Sequence, residues 1–339
     1  MAVKELFCFY PFNVKWNHGV ALLSALCKQQ GIKTEMFMLD YLPAFERRLK
    51  EWTEKEICFS IVTQKDWKLS LPFMEMAHRA GKKVLVGGTF MGLKPNVPEF
   101  IAHVCYGEAE NLPTYFLEGN TSIFDSKLAW TDLNNLPLPD YSLFEKVPFD
   151  RRIPELAGIY YLPYVSSRGC PAPCTFCQVR FQPPFRVRTK VKEDLSEIIG
   201  RYHPELIYMP DAILPYFVPA WKASWENLRV PFVGYIRADI KPDDLEWLID
   251  RGLKGCGFGI ESGDERFRNE SLKKELTDEQ LWRTVDTLKR HGIWNYTFFM
   301  TGLPGESFIH KTKTAQMAEK FEKHTFVWQY EELSQWASG

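Results

Sequence analysis

Short apolar runs alternate with amphipathic stretches through most of this chain, and that alternation limits the fold more than any other feature. Leu6–Tyr10, Thr34–Leu39, Ile57–Val62, Val84–Val86 and His103–Tyr106 read as strands. Between them Val20, Leu22, Leu23, Leu26 and Cys27 fall near helical spacing, and Leu71–Ala80 is another helix candidate. Strands separated by helices demand a parallel sheet covered on both faces. A second series runs through Tyr164–Ser167, Leu206–Met209, Phe232–Ile236, Gly257–Ile260, Thr297–Met300 and Thr325–Trp328. Helices are expected over Asp243–Asp250 and Thr277–His291, the latter with Thr277 and Gln280 as a capping box and Gly292 as its stop. The expected fold is therefore α/β: a parallel-sheet domain over 1–118, a linker over 119–155, and a partial barrel of six βα units over 156–339. Asn120, Leu136-Pro-Leu-Pro139-Asp140 and Pro148 mark the linker as irregular.

Composition adds limits rather than a function. A length of 339 residues suits two domains, and 45% hydrophobic content suffices for sizeable cores. The formal net charge of −1 gives no reason to expect nucleic acid. The local run Arg180, Arg186, Arg188, Lys190 and Lys192 reads as a solvated helix entry. No apolar run approaches the roughly 18 residues of a membrane span, and the start, Met-Ala-Val-Lys-Glu-Leu-Phe, lacks a leader pattern. A cytoplasmic location is expected.

Open parallel sheets bind ligands beyond the carboxyl ends of their strands, and barrels use the same face. In the first series those ends carry Ser60–Lys65, then Gly87-Gly88-Thr89, then Gly107-Glu108-Ala109-Glu110, which opens an expected helix. Paired glycines let a ligand or a backbone approach closely; simple turn chemistry explains these ends equally well. In the second series Asp211, Arg237 with Asp239, Glu261-Ser262-Gly263 and Thr301-Gly-Leu-Pro-Gly-Glu306 each follow an apolar run directly. Arginines, acids and exposed backbone suit a charged small molecule.

Three cysteines carry the chemistry. Ser167-Arg-Gly-Cys-Pro-Ala-Pro-Cys-Thr-Phe-Cys177 puts Cys170, Cys174 and Cys177 on one short loop. A fully protein-ligated 4Fe–4S cluster takes four cysteines, so three leave one iron open. A structural zinc site would want a second pair of ligands, and no second Cys-x2-Cys or His-x3-5-His exists. With 8 cysteines in 339 residues, a disulfide framework also fits poorly.

This segment resembles the radical S-adenosylmethionine (SAM) superfamily, in which the open iron chelates SAM and one-electron reduction yields a 5′-deoxyadenosyl radical. The order Gly-Gly, Gly-Glu-Ala-Glu, Leu136-Pro-Leu-Pro-Asp-Tyr141, Ser-Arg-Gly-Cys, Gly257-Phe-Gly-Ile-Glu-Ser262 and Gly302-Leu-Pro-Gly-Glu306 is similar to its cobalamin-binding-domain family. That resemblance implies an N-terminal flavodoxin/Rossmann-like domain holding cobalamin, followed by the radical SAM partial barrel. It implies a cluster on Cys170, Cys174 and Cys177 with Phe176 beside it. SAM would be held by Asp211, Arg237, Glu261 and Ser262, with Gly302, Pro304 and Gly305 on its adenine side. Cobalamin would lie against Ser60, Thr63, Gly87, Gly88, Thr89, Gly107 and Glu108. The implied reaction is methyl transfer to an unactivated carbon. Alternatives are a cobalamin-independent radical enzyme, a methylthiotransferase drawing a second cluster from Cys8, Cys27, Cys58 and Cys105, or a non-catalytic iron–sulfur protein. Expected partners are a small-molecule or peptide substrate and a reductase, flavodoxin or ferredoxin as electron donor, with no membrane.

The chain departs from the family in three places. No Asp-x-His-x-x-Gly motif supplies a lower cobalt ligand, and His18 reads as a helix-start residue. Gly-Glu-Ala-Glu stands where the family has Gly-Glu-Gly-Glu. The family's C-terminal region beyond the sixth strand is short here, which predicts a compact variant, a large substrate or a partner.

Overall fold

The computed structural model describes residues 5–11, 18–39, 42–53, 56–110, 130–144, 158–177, 179, 184–321 and 325–330. The chain divides into two compact units, the described residues up to Gly158 and those from Ile159 onward.

The first unit is a five-stranded, wholly parallel sheet of β1 (Glu5–Pro11), β2 (Lys33–Leu39), β3 (Glu56–Ser60), β4 (Lys83–Gly87) and β5 (Ile101–Val104), in the order β2-β1-β3-β4-β5. That is one of the two common doubly wound orders. Its central strands are apolar on both faces, as a parallel sheet requires. Ile57, Phe59, Val84 and Val86 pack with Phe45, Phe73 and Met74, whereas Cys58 and Leu85 face Val20, Cys27 and Ile32. Cys27, Cys58 and Cys105 are buried, and Cys27 and Cys58 pack as small apolar side chains.

The helix Gln64–Arg79 begins well before the expected Leu71. Thr63 caps it, accepting from the Asp66 amide at 3.2 Å, while the Asp66 carboxylate accepts from the Thr63 amide at 2.9 Å. Pro72 sits inside that helix on an exposed position. His18 is the first residue of the helix His18–Gln29. Residues 130–144, expected as linker, belong to the first unit. Leu133 and Leu136 pack on Leu22, and Asp140 accepts from Ser24 Oγ at 2.7 Å and pairs with Lys28 at 2.6 Å. The other linker residues, and the helix expected after Glu110, lie outside the described residues.

The second unit is a six-stranded parallel sheet: β6 (Tyr161–Pro163), β9 (Leu206–Met209), β10 (Phe232–Tyr235), β11 (Leu253–Glu261), β12 (Trp294–Thr301) and β13 (Thr325–Gln329). The strands stand side by side in chain order. A separate two-stranded antiparallel ladder joins β7 (Ser167–Arg168) to β8 (Arg186–Val187). The first strand therefore lies three residues before the expected Tyr164–Ser167, because Ser166 and Ser167 turn onto Asp211 instead of extending the sheet. Helix Asp278–Arg290 carries the expected Thr277–Gln280 capping box, and Gly292 adopts φ +64° just past its end.

Strand β11 shows how this sequence shapes the sheet. Cys256, Phe258 and Ile260 are buried, and Gly255, Gly257 and Gly259 alternate with them on the opposite face. A Cβ on Gly255 would lie 2.1 Å from the Trp294 ring, and one on Gly257 2.5 Å from Tyr296. The missing side chains make room for an aromatic row, in which Tyr235 meets Tyr296 edge to face and donates or accepts a 3.0 Å hydrogen bond with Tyr208. Trp221 and Trp225 are fully buried against Trp247 and Phe232 and belong to the core.

Candidate active site

The three cysteines lie on the irregular segment after β7, between Gly169 and residue 177. Cys174 is buried, Cys170 and Cys177 are half-buried, and none of the three is in a disulfide. Proline at 171 and 173 keeps this segment out of helix and sheet. The loop is tied down at its far end: the Thr175 amide donates to the Leu272 carbonyl at 3.0 Å, and Thr175 Oγ1 to the Ser271 carbonyl at 3.1 Å. Phe176 packs against Phe267, Leu272 and Leu303. Burial pushes the Cys170 and Cys177 thiols up, opposed by a backbone amide at each and by the charge of Lys274.

The loop is tied down at its near end by Asp211. This carboxylate is only 1% exposed and accepts from the Ser166 amide and Oγ, each at 3.1 Å, and from Ser167 Oγ at 2.5 Å. Trp221 Nε1 donates to Ser166 Oγ at 3.0 Å from behind. Burial raises the Asp211 pKa to about 6, and the serine donors hold it from rising further. Asp211, expected beside SAM, is bonded in this structure to the two serines that lead into the cysteines.

Arg237, two residues beyond β10, reaches three ways. Its Nε donates to Asp239 at 3.0 Å, its Nη2 donates to Asp239 and to the Lys274 carbonyl, and its Nη1 stands 3.6 Å from Cys174 Sγ. Glu261 closes β11 with φ +68°, outside the usual region for a residue with a side chain. Lys274 Nζ donates to its Oε1 at 3.0 Å, and both side chains are about one-tenth exposed. Ser262 is wholly buried; its Oγ accepts from the Asp264 amide at 3.2 Å and meets Thr314 Oγ1 at 3.3 Å. The Gly302–Glu306 loop closes on itself, with Gly302 at φ +79° and its amide donating to Glu306 Oε2 at 2.6 Å. Gly305 adopts φ +76°, Pro304 is exposed, and Leu303 drops onto Phe176.

Two participants give no signal in the sequence. Lys274 sits in Leu272-Lys-Lys-Glu-Leu276, which reads as a solvated charged run. Its flanking leucines are nearly fully buried, and that apolar bracket is the available clue. Arg268 is 0% exposed and donates to the carbonyls of Ser262 and Leu276 and to Asp278, fixing the segment that carries Lys274.

Chemically, the site offers three thiolate donors with two cations beside them. Among the described residues no group of three or more His, Cys, Asp or Glu side chains is gathered as around a single metal ion. A cluster asks for a different arrangement, one sulfur per iron, and three soft thiolate donors on one loop fit that demand.

The strand ends of the first unit look different. Thr63 caps its own helix, and Thr89 Oγ1 donates to the Val62 carbonyl at 3.2 Å. Gly88 adopts φ +108°, and a Cβ there would lie 2.2 Å from the Ile61 carbonyl oxygen. Its glycine is thus required by the chain's own backbone, one of the two close approaches that paired glycines allow. A Cβ on Gly87 meets only Cys105, at 3.5 Å. Ser60 is half-buried at the end of β3. Gly107 is half-buried, and the buried Glu108 accepts from the Thr131 amide at 3.3 Å.

Comparison with known proteins bears on this site. Residues 164–318, which include the cysteine-bearing segment, match the Radical SAM superfamily family model. The chain is 27% identical over 203 residues to an uncharacterized methyltransferase of Pyrococcus horikoshii, covering 56% of this chain and 42% of that protein. It is 25% identical over 296 residues to an uncharacterized methyltransferase of Synechocystis sp., covering 80% of this chain and 52% of that protein. The chain thus spans about half the length of these relatives, or less. Coproporphyrinogen III oxidase (HemN) from Escherichia coli, a radical SAM enzyme, is similar in structure at 15% identity and a TM-score of 0.40, covering 56% of this chain and 49% of that one. That likeness is too slight to bear on mechanism.

Proposed function

We propose that this chain is a radical SAM enzyme of the methyltransferase type, with Cys170, Cys174 and Cys177 as ligands of a 4Fe–4S cluster. The observation that carries the reading is the cysteine loop itself, clamped between the Asp211–serine bonds at one end and the Thr175–Leu272 bonds at the other. A loop that must hold a cluster at fixed geometry needs such clamps, because ligand spacing sets what it binds. When bound, the cluster and SAM supply a carbon-centred radical able to remove hydrogen from an unactivated C–H bond.

The chain's own residues then have separable roles. Arg237 brings positive charge to the thiolate side, and Asp239 holds its guanidinium in one plane by two bonds. Glu261 offers a second carboxylate oxygen beyond the one bonded to Lys274, suited to an ammonium or ribose hydroxyl of SAM. Ser262 and Asp264 turn the chain after β11 and hold Glu261 at its strained φ. The Gly302–Glu306 loop, with Gly302, Pro304 and Gly305 exposed and Leu303 on Phe176, suits a flat adenine.

Methyl transfer is favoured by the names of both relatives. Cobalamin, which supplies a transferable methyl on cobalt, is proposed for the carboxyl ends of the first sheet. The doubly wound order and the bare Gly87 floor beside Ser60 are consistent with a large planar ligand. Buried Cys27 and Cys58 weigh against the methylthiotransferase reading. Anaerobic reconstitution with iron, sulfide and hydroxocobalamin, followed by metal counting, tests the pair. About four irons and one cobalt are expected per chain; four irons without cobalt would leave a cobalamin-free radical enzyme, and no iron would sink the proposal.

A further inference from the structure

Lys274 is a cation nearly withdrawn from water, 8% exposed, and it lies outside every motif described above. A buried ammonium is costly unless paired, and this one is placed between the two parts of the site. Its Nζ donates to Glu261 Oε1 at 3.0 Å and stands 5.8 Å from the centre of the Phe176 ring, on the cysteine loop. Its carbonyl accepts from Arg237, whose other nitrogen reaches Cys174 Sγ. The residues on either side, Lys273 and Glu275, adopt φ +53° and +55°. Strained backbone of this kind is costly and persists where the surroundings over-determine it. The surroundings here are Arg268, wholly buried beneath the segment, and the Leu272 and Ser271 carbonyls bonded to Thr175. The fold thus holds a strained backbone in order to bring one lysine against the cysteine loop.

We propose that Lys274 is a positioning residue that acts through its charge. Partly neutralised by Glu261, that charge sets how readily a cluster on Cys170, Cys174 and Cys177 accepts an electron. The inference rests on the cluster reading above. A nearby positive charge favours the more negative, reduced state. Removing it lowers the midpoint potential, and removing the carboxylate that neutralises it raises that potential.

The test uses the reconstituted full chain, titrated with titanium(III) citrate and followed by the electron paramagnetic resonance signal of the reduced cluster. Each chain gains one electron as one titanium(III) becomes titanium(IV). Lys274→Met is expected to hold its iron and shift to lower potential, to a roughly tenfold smaller reduction equilibrium constant, or about 59 mV for one electron. Lys274→Arg is expected to restore the wild-type value, and Glu261→Gln to shift it upward. Opposite signs from two neighbouring substitutions are what a purely structural role does not give. Equal potentials in wild type, Lys274→Met and Glu261→Gln would overturn the proposal. If Lys274→Met fails to hold iron, Glu261→Gln decides alone, and no upward shift there overturns it. A wild-type chain without iron would instead remove the cluster reading on which the inference stands.

Discussion

Both units of this chain are parallel sheets whose strands end in polar, glycine-rich turns, yet the two sets of turns use their polar atoms differently. In the first unit the polar atoms serve backbone turns and a helix cap. Thr63 caps the helix it precedes, Thr89 bonds the Val62 carbonyl after the neighbouring strand, and Gly88 is demanded by the Ile61 backbone. In the second unit charged side chains, several of them buried, join different strand ends. Asp211 holds Ser166 and Ser167, Arg237 touches Asp239, Lys274 and Cys174, and Glu261 pairs with Lys274. A turn that satisfies itself explains its own residues; charges buried across several turns do not, since burial costs more than such pairs return. The second arrangement therefore points to a site and the first is neutral about one.

The comparison can be broken most sharply at the cysteines. Replacing Cys170, Cys174 or Cys177 by Ala is expected to take bound iron from about four per chain to near zero, read by metal analysis after reconstitution. A variant with full iron would remove that residue from the ligand set.

Next in size is Gly88→Ala. The left-handed φ and the 2.2 Å approach to Ile61 predict a loss on the order of 3–5 kcal/mol in the first unit, measured by denaturant unfolding. An unchanged midpoint would show that the turn at Gly88 is freer than described, and the local explanation would fail.

Asp211→Asn probes the second unit. Its folded pKa of about 6 lies above the ordinary carboxyl value of 3.8, so the folded state binds the extra proton between them. The stability it contributes is present below about pH 4 and is lost as pH rises through about 6, on the order of 3 kcal/mol in all. Denaturation at pH 4 and pH 7 should show this fall in the wild type and a smaller one in the variant. An equal fall in both would mean that Asp211 is ionised throughout.

The smallest effect is expected at Gly87→Ala, within about 0.5 kcal/mol, because the new Cβ makes only an ordinary contact with Cys105. Reduced cobalt binding in this well-folded variant would sharpen the case for a ligand on the first sheet; Gly88 cannot serve that purpose.

Much of this architecture is legible in the sequence, for physical reasons. Leu206–Met209 and Thr325–Trp328 are short apolar runs bounded by polar turns, and each appears as a strand within a residue of its expected limits. Thr277 with Gln280 marks a helix start because the reciprocal bonds are encoded by two residues three apart. The same device at Thr63 with Asp66 is masked, because Pro72 suggests an interruption that the exposed helix face tolerates. Tyr164–Ser167 looks extended by composition, but Asp211, 45 residues away from Ser166, draws the serines out of the sheet. The site follows the same rule. The cysteines are visible from their spacing alone, whereas the burial of Asp211 and the placement of Lys274 depend on contacts across strands that no local pattern records.

The most direct test of the central claim is SAM cleavage by the reconstituted chain under low-potential reduction, with 5′-deoxyadenosine measured by chromatography. The account predicts its formation by the wild-type protein and none by Cys174→Ala. A wild-type chain carrying four irons that forms no 5′-deoxyadenosine would contradict it.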